Sequence, residues 1–252
     1  IDIPGLDGKL PDGVFVRAIS KGSLEEITLR LGILHALDSC GVRVWNDARV
    51  IERCVDKSTA TFLFQKAGLP VPPTRVAEGR ERALGYAEAR YPLVLKPLFG
   101  SQGNGVRRLD EPSDMPTEDE VRGVYYLQRY LRAPDASEFS DWRVFVSANR
   151  MVGAMVRQGP NWVTNIHQGG QPQAVELDTE ARQLALAAAA AVGADYAGVD
   201  LIRDGQGRLM VLEINSNPAW KGLQSICERD IAATLAEDFL SAVRAEIPAQ
   251  GA

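Results

Sequence analysis

Cysteine and histidine are scarce in this chain, with three cysteines and two histidines among 252 residues. Cys40, Cys54 and Cys227 show no C-x-x-C spacing, and both His35 and His167 are distant from them in sequence. Zinc sites are typically built from closely spaced pairs of such ligands, so the sequence argues against one. A sparse, odd number of thiols is typical of a reducing compartment, and we expect a cytoplasmic protein.

The chain also lacks a long apolar run and an excess of positive charge. Residues 184–192 form the longest apolar run, which is too short to span a bilayer, and no signal peptide is recognisable. Lys and Arg number 28 against 33 Asp and Glu, for a net charge of −5. A nucleic-acid-binding surface needs a basic face, so we expect neither a membrane nor a nucleic acid as partner.

The composition is that of an ordinary folded chain, 45% hydrophobic and 24% charged. Hydrophobic spacing and helix-stop residues predict helices over 25–40, 56–67, 80–90, 179–192 and 230–245. Strands are predicted over 14–19, 42–45, 93–96, 106–109, 125–131, 142–147, 150–158, 199–203 and 209–214. The proline-rich segment 69–74 is predicted to be a linker. Several of the strands form hairpins, and the whole pattern indicates an α+β fold.

The last predicted hairpin collects oxygen ligands. Asp200 lies in its first strand, and Glu213 and Asn215 lie in its second, where alternation places them on one face. Two carboxylates and an amide oxygen suit Mg²⁺ held together with substrate phosphates. The alternative is a set of solvated strand charges, with Leu212 and Ile214 as the buried face. The apolar sequence of the first strand favours the metal site.

A glycine-rich segment, Gly100-x-x-Gly103-x-Gly105, follows the predicted strand that ends at Lys96. Its backbone N–H groups can cradle phosphate oxygens. The spacing fits neither the P-loop nor the dinucleotide-binding fingerprint, and the loop follows its lysine, whereas in protein kinases the loop comes first. A plain hairpin turn remains an equal alternative on this motif alone.

Further polar residues occur near strands that are otherwise apolar. Asp141 and Arg143 share a strand face, and Arg157 lies near the end of an apolar strand. The segment 165–170, Asn-Ile-His-Gln-Gly-Gly, then supplies an amide and flexible backbone. Arginines that converge on an acidic metal site are typical of a clamp on phosphate charge. We interpret His167 as a structural or substrate-contacting residue, and no Ser-His-Asp or Cys-His set supports covalent nucleophilic catalysis.

Taken in order, seven motifs resemble those of ATP-grasp ligases of the RimK type, which add amino acids, often glutamate, to carboxylates. The motifs are Asp56-Lys57-Ser58, Val94-Leu95-Lys96-Pro97 with the loop 100–105, Leu127-Gln128-Arg129-Tyr130-Leu131, Asp141-Trp142-Arg143, the segment 165–170, Ala197-Gly198-Val199-Asp200 and the segment 212–218. Each motif is weak alone, but seven in this order are highly specific. Residues 41–57 and 99–106 also resemble the tetrahydromethanopterin glutamate ligases within this group.

The resemblance implies an ATP-grasp fold with a shortened N-terminal α/β domain over 1–69, a lid subdomain over 70–130 and a C-terminal subdomain over 131–252. It implies a ligase that uses ATP and Mg²⁺ to convert a carboxylate into an acyl phosphate, which an amino acid amine then attacks. We expect L-glutamate to be joined to a small cofactor-like carboxylate of pterin or furan type. A ligase acting on a protein or peptide terminus and a non-catalytic ATP-binding subunit are the alternatives, and a homo-oligomer is compatible with each.

The resemblance also implies a role for each matching residue. ATP phosphates would be held by Lys57, Lys96, Ser101, Gln102 and Gly103, adenine by the backbone of Gln128, Arg129, Tyr130 and Leu131, and ribose or a nearby group by Asp141. Mg²⁺, or Mn²⁺ in its place, would be bound by Asp200, Glu213 and Asn215. The transferring phosphoryl group would be contacted by Arg157, Asn165 and Arg143, the acceptor carboxylate by Arg17, and substrate by His167. RimK-type ligases often have Glu at the position of Arg129 and Arg at the position of Gln168. We therefore expect acceptor recognition to be the property in which this chain differs most from those ligases.

Overall fold

Three β-sheets organise the computed structural model, which describes residues 3–100, 103–132 and 139–246. A parallel pair contains β1 (Gly13–Phe15) and β2 (Arg43–Trp45). A four-stranded antiparallel sheet contains β3 (Thr74–Glu78), β4 (Leu93–Lys96), β5 (Arg107–Leu109) and β6 (Val124–Arg129), in the order β3-β6-β4-β5. A five-stranded antiparallel sheet contains β7 (Phe139–Ser147), β8 (Arg150–Gly159), β9 (Gln171–Ala174), β10 (Tyr196–Arg203) and β11 (Leu209–Asn215), in the order β11-β10-β7-β8-β9.

The helices connect and cover these sheets. They are α1 (Leu24–Ser39), α2 (Ala48–Val55), α3 (Lys57–Lys66), α4 (Arg80–Ala87), α5 (Glu118–Val121), α6 (Thr179–Val192), α7 (Lys221–Gln224) and α8 (Ile231–Glu246), with 3₁₀ turns at Pro112–Asp114 and Ile166–Gln168. Within the described ranges, none of these helices has the length and apolar content needed to cross a bilayer.

Helix α6 has the limits that the sequence predicts, because its ends carry strong signals. The Asp178 side chain accepts a hydrogen bond from the backbone N–H of Ala181, and Gly193 ends the helix with a φ of 79°. The turn between β7 and β8 is equally local, since Ala148 and Asn149 both have positive φ, as a two-residue hairpin turn requires. The predicted limits of helix 179–192 and the predicted break between the strands 142–147 and 150–158 are therefore confirmed.

Other predicted limits are wrong in detail. The strand predicted over 14–19 ends at Phe15, and the helix predicted over 80–90 ends at Ala87. The predicted linker 69–74 runs into an unpredicted strand, β3, whose backbone pairs with β6. Two further elements lie outside the predicted set: α2, which follows the N-cap Asp47, and β9, which pairs with β8.

Helices α2 and α3 pack with α6 on the five-stranded sheet. Val50, Cys54 and Phe64 lie in the same buried cluster as residues of α6 and β10. The alanine face of α6, with Ala185 and Ala188 fully buried, allows close approach to the sheet. Residues 48–66 therefore share a core with residues 139–215, across the predicted boundary at residue 69. The division into 1–69, 70–130 and 131–252 stays a prediction.

Candidate active site

A cavity of about 480 Å³ lies between the four-stranded and five-stranded sheets. Its lining includes most of the residues that the sequence analysis selected: Lys57, Lys96, Gly103, Gln128, Arg129, Tyr130, Leu131, Asp141, Arg143, Arg157, Asn165, His167, Asp200, Glu213 and Asn215. Arg17 lines an adjoining groove instead. Ser101 and Gln102 lie outside the described residues. The structure thus brings the separate motifs to one place, whereas the individual roles stay predictions.

The oxygen ligands meet across β10 and β11. Asp200 is paired with Glu213, and Gly198 with Asn215, so both carboxylates and the amide lie close together on neighbouring strands. Within the described residues, no group of three or more His, Cys, Asp or Glu side chains could hold a metal ion. A divalent ion here would therefore need Asn215 and substrate phosphates to complete its shell. This all-oxygen donor set fits the way Mg²⁺ is bound with nucleotides.

A β-bulge shapes this part of the sheet. Asp200 pairs with Glu213, but the next residue, Leu201, pairs with Val211, so Leu212 has no opposite partner. Bulges re-aim side chains and are common beside active sites. Leu212 is half-buried and lines the cavity, so it does not lie on the buried face that the alternative of solvated strand charges would give it. Ile214 is 2% exposed and lies in the core.

Asp141, Arg143, Arg157 and Asp200 form a buried arginine–aspartate cluster at the cavity. Arg157 Nε donates to Asp141 Oδ1 at 2.7 Å, and its Nη2 lies 2.9 Å from Asp200 Oδ2. Arg143 Nη2 donates to the same oxygen of Asp200 at 2.9 Å. Strand register explains these contacts, because Asp141 is opposite Arg157 and Asp200 is opposite Arg143. The arginines predicted to contact phosphate are thus already paired with carboxylates.

The cluster favours the charged forms of Asp200 and Arg157. Burial would raise the pKa of Asp200, but the Arg143 and Arg157 guanidiniums more than offset that effect and lower the pKa below its ordinary value. Burial would likewise lower the pKa of Arg157, but Asp200 and Asp141 raise it above its ordinary value. The buried guanidinium of Arg157 and the half-buried guanidinium of Arg143 therefore face the two buried carboxylates of Asp141 and Asp200.

We expect Asp141→Asn to lower the free energy of unfolding by about 3 kcal/mol, because removing one partner of a buried ion pair leaves the other charge uncompensated. Asp141 is 5% exposed and Arg157 is 3% exposed. Urea unfolding measures the effect. Asp110→Asn is the matched control, since its partner Arg108, at 2.7 Å, forms an exposed pair that contributes little. Equal stability of Asp141→Asn and wild type would contradict a structural role for the pair.

Two buried lysines reach the cavity from different elements. Lys57 begins α3, directly after its N-cap Asp56, and donates from Nζ to the carbonyl oxygen of Gly100 at 2.9 Å. Lys96 ends β4 and is 7% exposed, and its side-chain ammonium has no hydrogen bond or ion pair with any described residue. Burial lowers the pKa of Lys96, although nearby Glu213 acts to raise it. A buried cation without a partner at a cavity wall is suited to an anionic ligand.

The predicted adenine-binding strand is β6 and the two residues after it. The side chain of Gln128 is 2% exposed and donates to Thr74 Oγ1 at 3.1 Å, so it belongs to the sheet's own network. The backbone N–H groups of Arg129 and Tyr130 donate to the carbonyls of Pro73 and Pro92. Those two amides are therefore not free for a base.

The segment 160–170, which follows β8, covers one end of the cavity. Asn165 and His167 line it, and so does Trp162, which the sequence analysis missed. Trp162 packs edge-on against Tyr130 with ring centroids 6.0 Å apart. Gly169 turns the segment with a φ of 95°, and the Gly170 N–H donates to the Asn165 carbonyl at 3.2 Å. These contacts hold the segment over the cavity.

Comparisons with known proteins match most of the chain. A family model described as "RimK-like ATP-grasp domain" matches residues 54–239. Over 233 residues the chain is 38% identical to the tetrahydromethanopterin:alpha-L-glutamate ligase of Methanococcus maripaludis, covering 90% of this chain and 78% of that protein. The protein of the same name from Methanocaldococcus jannaschii is 35% identical over 241 residues, covering 92% of this chain and 80% of the relative.

Solved structures share the fold. A structure of the ATP-grasp ligase PsnB complexed with minimal precursor has a TM-score of 0.71 and 21% identity, covering 92% of this chain and 80% of that one. A D-alanine–D-alanine ligase from Bacillus anthracis complexed with ATP has a TM-score of 0.64 and 16% identity, covering 85% of this chain and 76% of that one.

Proposed function

The chain belongs to the RimK-like ATP-grasp family, and from that premise we propose that it joins L-glutamate to a small carboxylate-bearing acceptor at the expense of ATP. Relatives 31–38% identical are named tetrahydromethanopterin:alpha-L-glutamate ligases, which makes tetrahydromethanopterin the first acceptor to test. The observation that carries the proposal is one cavity lined both by the unpaired buried cation of Lys96 and by the oxygen ligands Asp200, Glu213 and Asn215.

In the proposed reaction an oxygen of the acceptor carboxylate attacks the γ-phosphorus of ATP, and ADP leaves. The amine of L-glutamate then attacks the acyl carbon, a proton is lost from nitrogen, and inorganic phosphate leaves with the amide formed. The attacking oxygen belongs to the substrate, so no activated Ser or Cys is needed. Mg²⁺ held by Asp200, Glu213 and Asn215 would offset phosphate charge.

This chain's own residues would supply position and charge. Lys57 and Lys96 would hold the phosphates of ATP at the wall formed by α3 and β4. The arginine–aspartate cluster would fix the metal-binding face, since Asp200 is held by two guanidiniums. The segment 160–170 and the glycine-rich loop would shield the acyl phosphate from water, which would otherwise hydrolyse it.

Several finer points belong to the same proposal. A PsnB structure contains Mg and ADP, and we propose that Mn²⁺ can replace Mg²⁺ in this chain because both ions prefer oxygen ligands.

The three cysteines are free, which agrees with a cytoplasmic location. The acidic net charge supports a small-molecule partner rather than a nucleic acid, and a homo-oligomer remains compatible with the proposal.

The alternatives have less support. PsnB is complexed with a precursor, but at 21% identity that likeness concerns the fold alone and does not favour a peptide acceptor. A non-catalytic ATP-binding subunit would not need Lys96, Arg157 and Glu213 around one cavity.

The proposal is tested by measuring ADP release from Mg²⁺-ATP and L-glutamate against pterin, furan and peptide carboxylates, tetrahydromethanopterin first. We expect ADP to appear with one acceptor only, together with a glutamate-sized mass gain. Tight ATP binding without ADP release on any acceptor would favour the non-catalytic alternative, and a mass gain on a peptide alone would favour the peptide alternative.

We expect Gly170→Ala to lower turnover about 100-fold, since displacing groups beside the reacting atoms by about 1 Å can cost that much. A Cβ at Gly170 would overlap the carbonyl oxygen of Thr164 and push the segment 160–170 away from the cavity. Steady-state ADP release measures the effect. Gly32→Ala, in the exposed middle of α1 with no atom within 4 Å of the added Cβ, is the control and should keep wild-type turnover. Wild-type turnover in Gly170→Ala would show that the segment's position is unimportant.

A further inference from the structure

A second, more open cavity of about 550 Å³ adjoins the active-site cavity, and we name it the Arg17 groove. Its lining consists of Arg17, Ala219, Trp220, Lys221, Gln224 and Ser225. Ala219 and Lys221 line both cavities, so the groove is continuous with the place where ATP would react. A substrate that reaches the active site can therefore extend into the groove.

Arg17 is held rigidly in this groove. Its guanidinium carbon lies 4.0 Å from the ring centroid of Trp220, and its Nη1 donates to the Tyr196 hydroxyl at 3.1 Å. That hydroxyl donates in turn to the carbonyl of Val16 and accepts from Asn217 Nδ2 at 3.2 Å. Asn217 also lines the active-site cavity. Arg17 is thus linked through the Tyr196 hydroxyl to Asn217, a residue of the active-site wall.

The charge of the groove is uncompensated. Its lining contains two cationic side chains and no carboxylate. Among the described residues, neither Arg17 nor Lys221 forms an ion pair. Two other polar side chains of the groove are already engaged: Gln224 Nε2 donates to the carbonyls of Cys227 and Arg229, and the Ser225 hydroxyl donates to the carbonyl of Gly222. Arg17 and Lys221 are therefore the charged groups of the lining that can meet a ligand.

We infer that the Arg17 groove binds a carboxylate of a substrate, one that does not itself react. A rigid guanidinium beside a flexible ammonium, over an aromatic floor, is suited to a carboxylate on an extended organic molecule. This inference rests on the proposed function, and the acceptor and L-glutamate are the two sources of such a carboxylate. Lys221 and Trp220 thereby become residues that select the substrate, beyond the predicted role of Arg17.

The test compares the KM values of Lys221→Gln, Arg17→Lys and wild type for tetrahydromethanopterin, L-glutamate and ATP, by ADP release. We expect Lys221→Gln to raise the KM of one carboxylate substrate about tenfold, the usual scale for a lost charged hydrogen bond, with kcat and the KM for ATP nearly unchanged. Arg17→Lys should raise the same KM, because lysine loses the planar stack on Trp220. Lys221→Arg should restore it, and the exposed Lys66→Gln is the control.

The substrate whose KM rises identifies the source of the carboxylate. Unchanged KM values for both carboxylate substrates would overturn the inference, and so would a rise confined to ATP, which would make Lys221 a phosphate ligand. Titration calorimetry with L-glutamate and with tetrahydromethanopterin separates this inference from the proposed function. If wild type forms no product, the proposed function fails; equal binding of both compounds by wild type and Lys221→Gln, including no binding by either, overturns the inference itself.

Discussion

Replacing Lys96 by Met should abolish most of the ligase activity while making the protein more stable. Lys96 is 7% exposed and lines the cavity, and its side-chain ammonium has no hydrogen bond or ion pair with a described residue. A pre-placed charge aimed at the transferred group commonly contributes about 10²- to 10³-fold to a rate, so we expect a loss of that size in kcat/KM.

The expected gain in stability also follows from the burial of the Lys96 charge. Because burial lowers the pKa of Lys96 below its ordinary value, keeping the lysine protonated costs folding free energy at neutral pH, and that cost falls as the pH rises. Methionine fills a similar volume without charge, so we expect the free energy of unfolding to rise by about 1 kcal/mol. Urea unfolding and ADP release measure the two effects.

Lys66→Met provides the comparison for both measurements. Lys66 lies at the exposed end of α3, so its replacement should leave turnover and stability close to those of wild type. A Lys96→Met protein that is inactive and also less stable would mean that Lys96 serves the fold. Full activity would mean that ATP phosphates are held elsewhere.

Replacing Glu213 by Gln should reduce turnover by two to three orders of magnitude, since each loss of about 1.4 kcal/mol in transition-state stabilisation is a factor of ten. Glu213 lies opposite Asp200 at the bulge and forms no ion pair with a described residue. Glutamine keeps the shape of the side chain but removes the negative charge that a divalent ion needs. The Mg²⁺ concentration for half-maximal turnover should therefore rise.

The fold should survive this change, because Glu213 is only half-buried and the arginine–aspartate cluster remains intact. Circular dichroism and urea unfolding check that point. Glu237→Gln, at an exposed position of α8, changes the same side chain away from the cavity and should keep wild-type turnover. An unchanged Mg²⁺ requirement in Glu213→Gln would remove Glu213 from the metal site.

The sequence predicts best those features that depend on neighbouring residues. The limits of α6 follow from Asp178 and Gly193, and the pairing of the two strands that carry Asp200 and Glu213 follows from the short turn between them, whereas the direct pairing of these two residues depends on the bulge. The missed helix α2 had a usable signal, since Asp47 caps it and its buried residues recur at helical spacing.

Features that depend on distant segments could not be predicted. The pairing of Arg157 with Asp141 depends on the register of β7 and β8. From the sequence we could predict only a phosphate contact for the Arg157 guanidinium. The bulge that turns Leu212 to the cavity has no local sequence signal. The role inferred for Trp220 and Lys221 depends on their closeness to Arg17. Arg17 follows β1 near the start of the chain, so only the three-dimensional fold places it beside them.

In the proposed reaction ATP activates a carboxylate by phosphoryl transfer. This step can be followed by supplying an acceptor whose reacting carboxylate carries a heavy oxygen isotope, together with Mg²⁺-ATP and L-glutamate, and weighing the released phosphate. We expect one labelled oxygen to appear in inorganic phosphate for each amide formed, with ADP as the other product. Product formation with unlabelled phosphate, or with AMP in place of ADP, would contradict it.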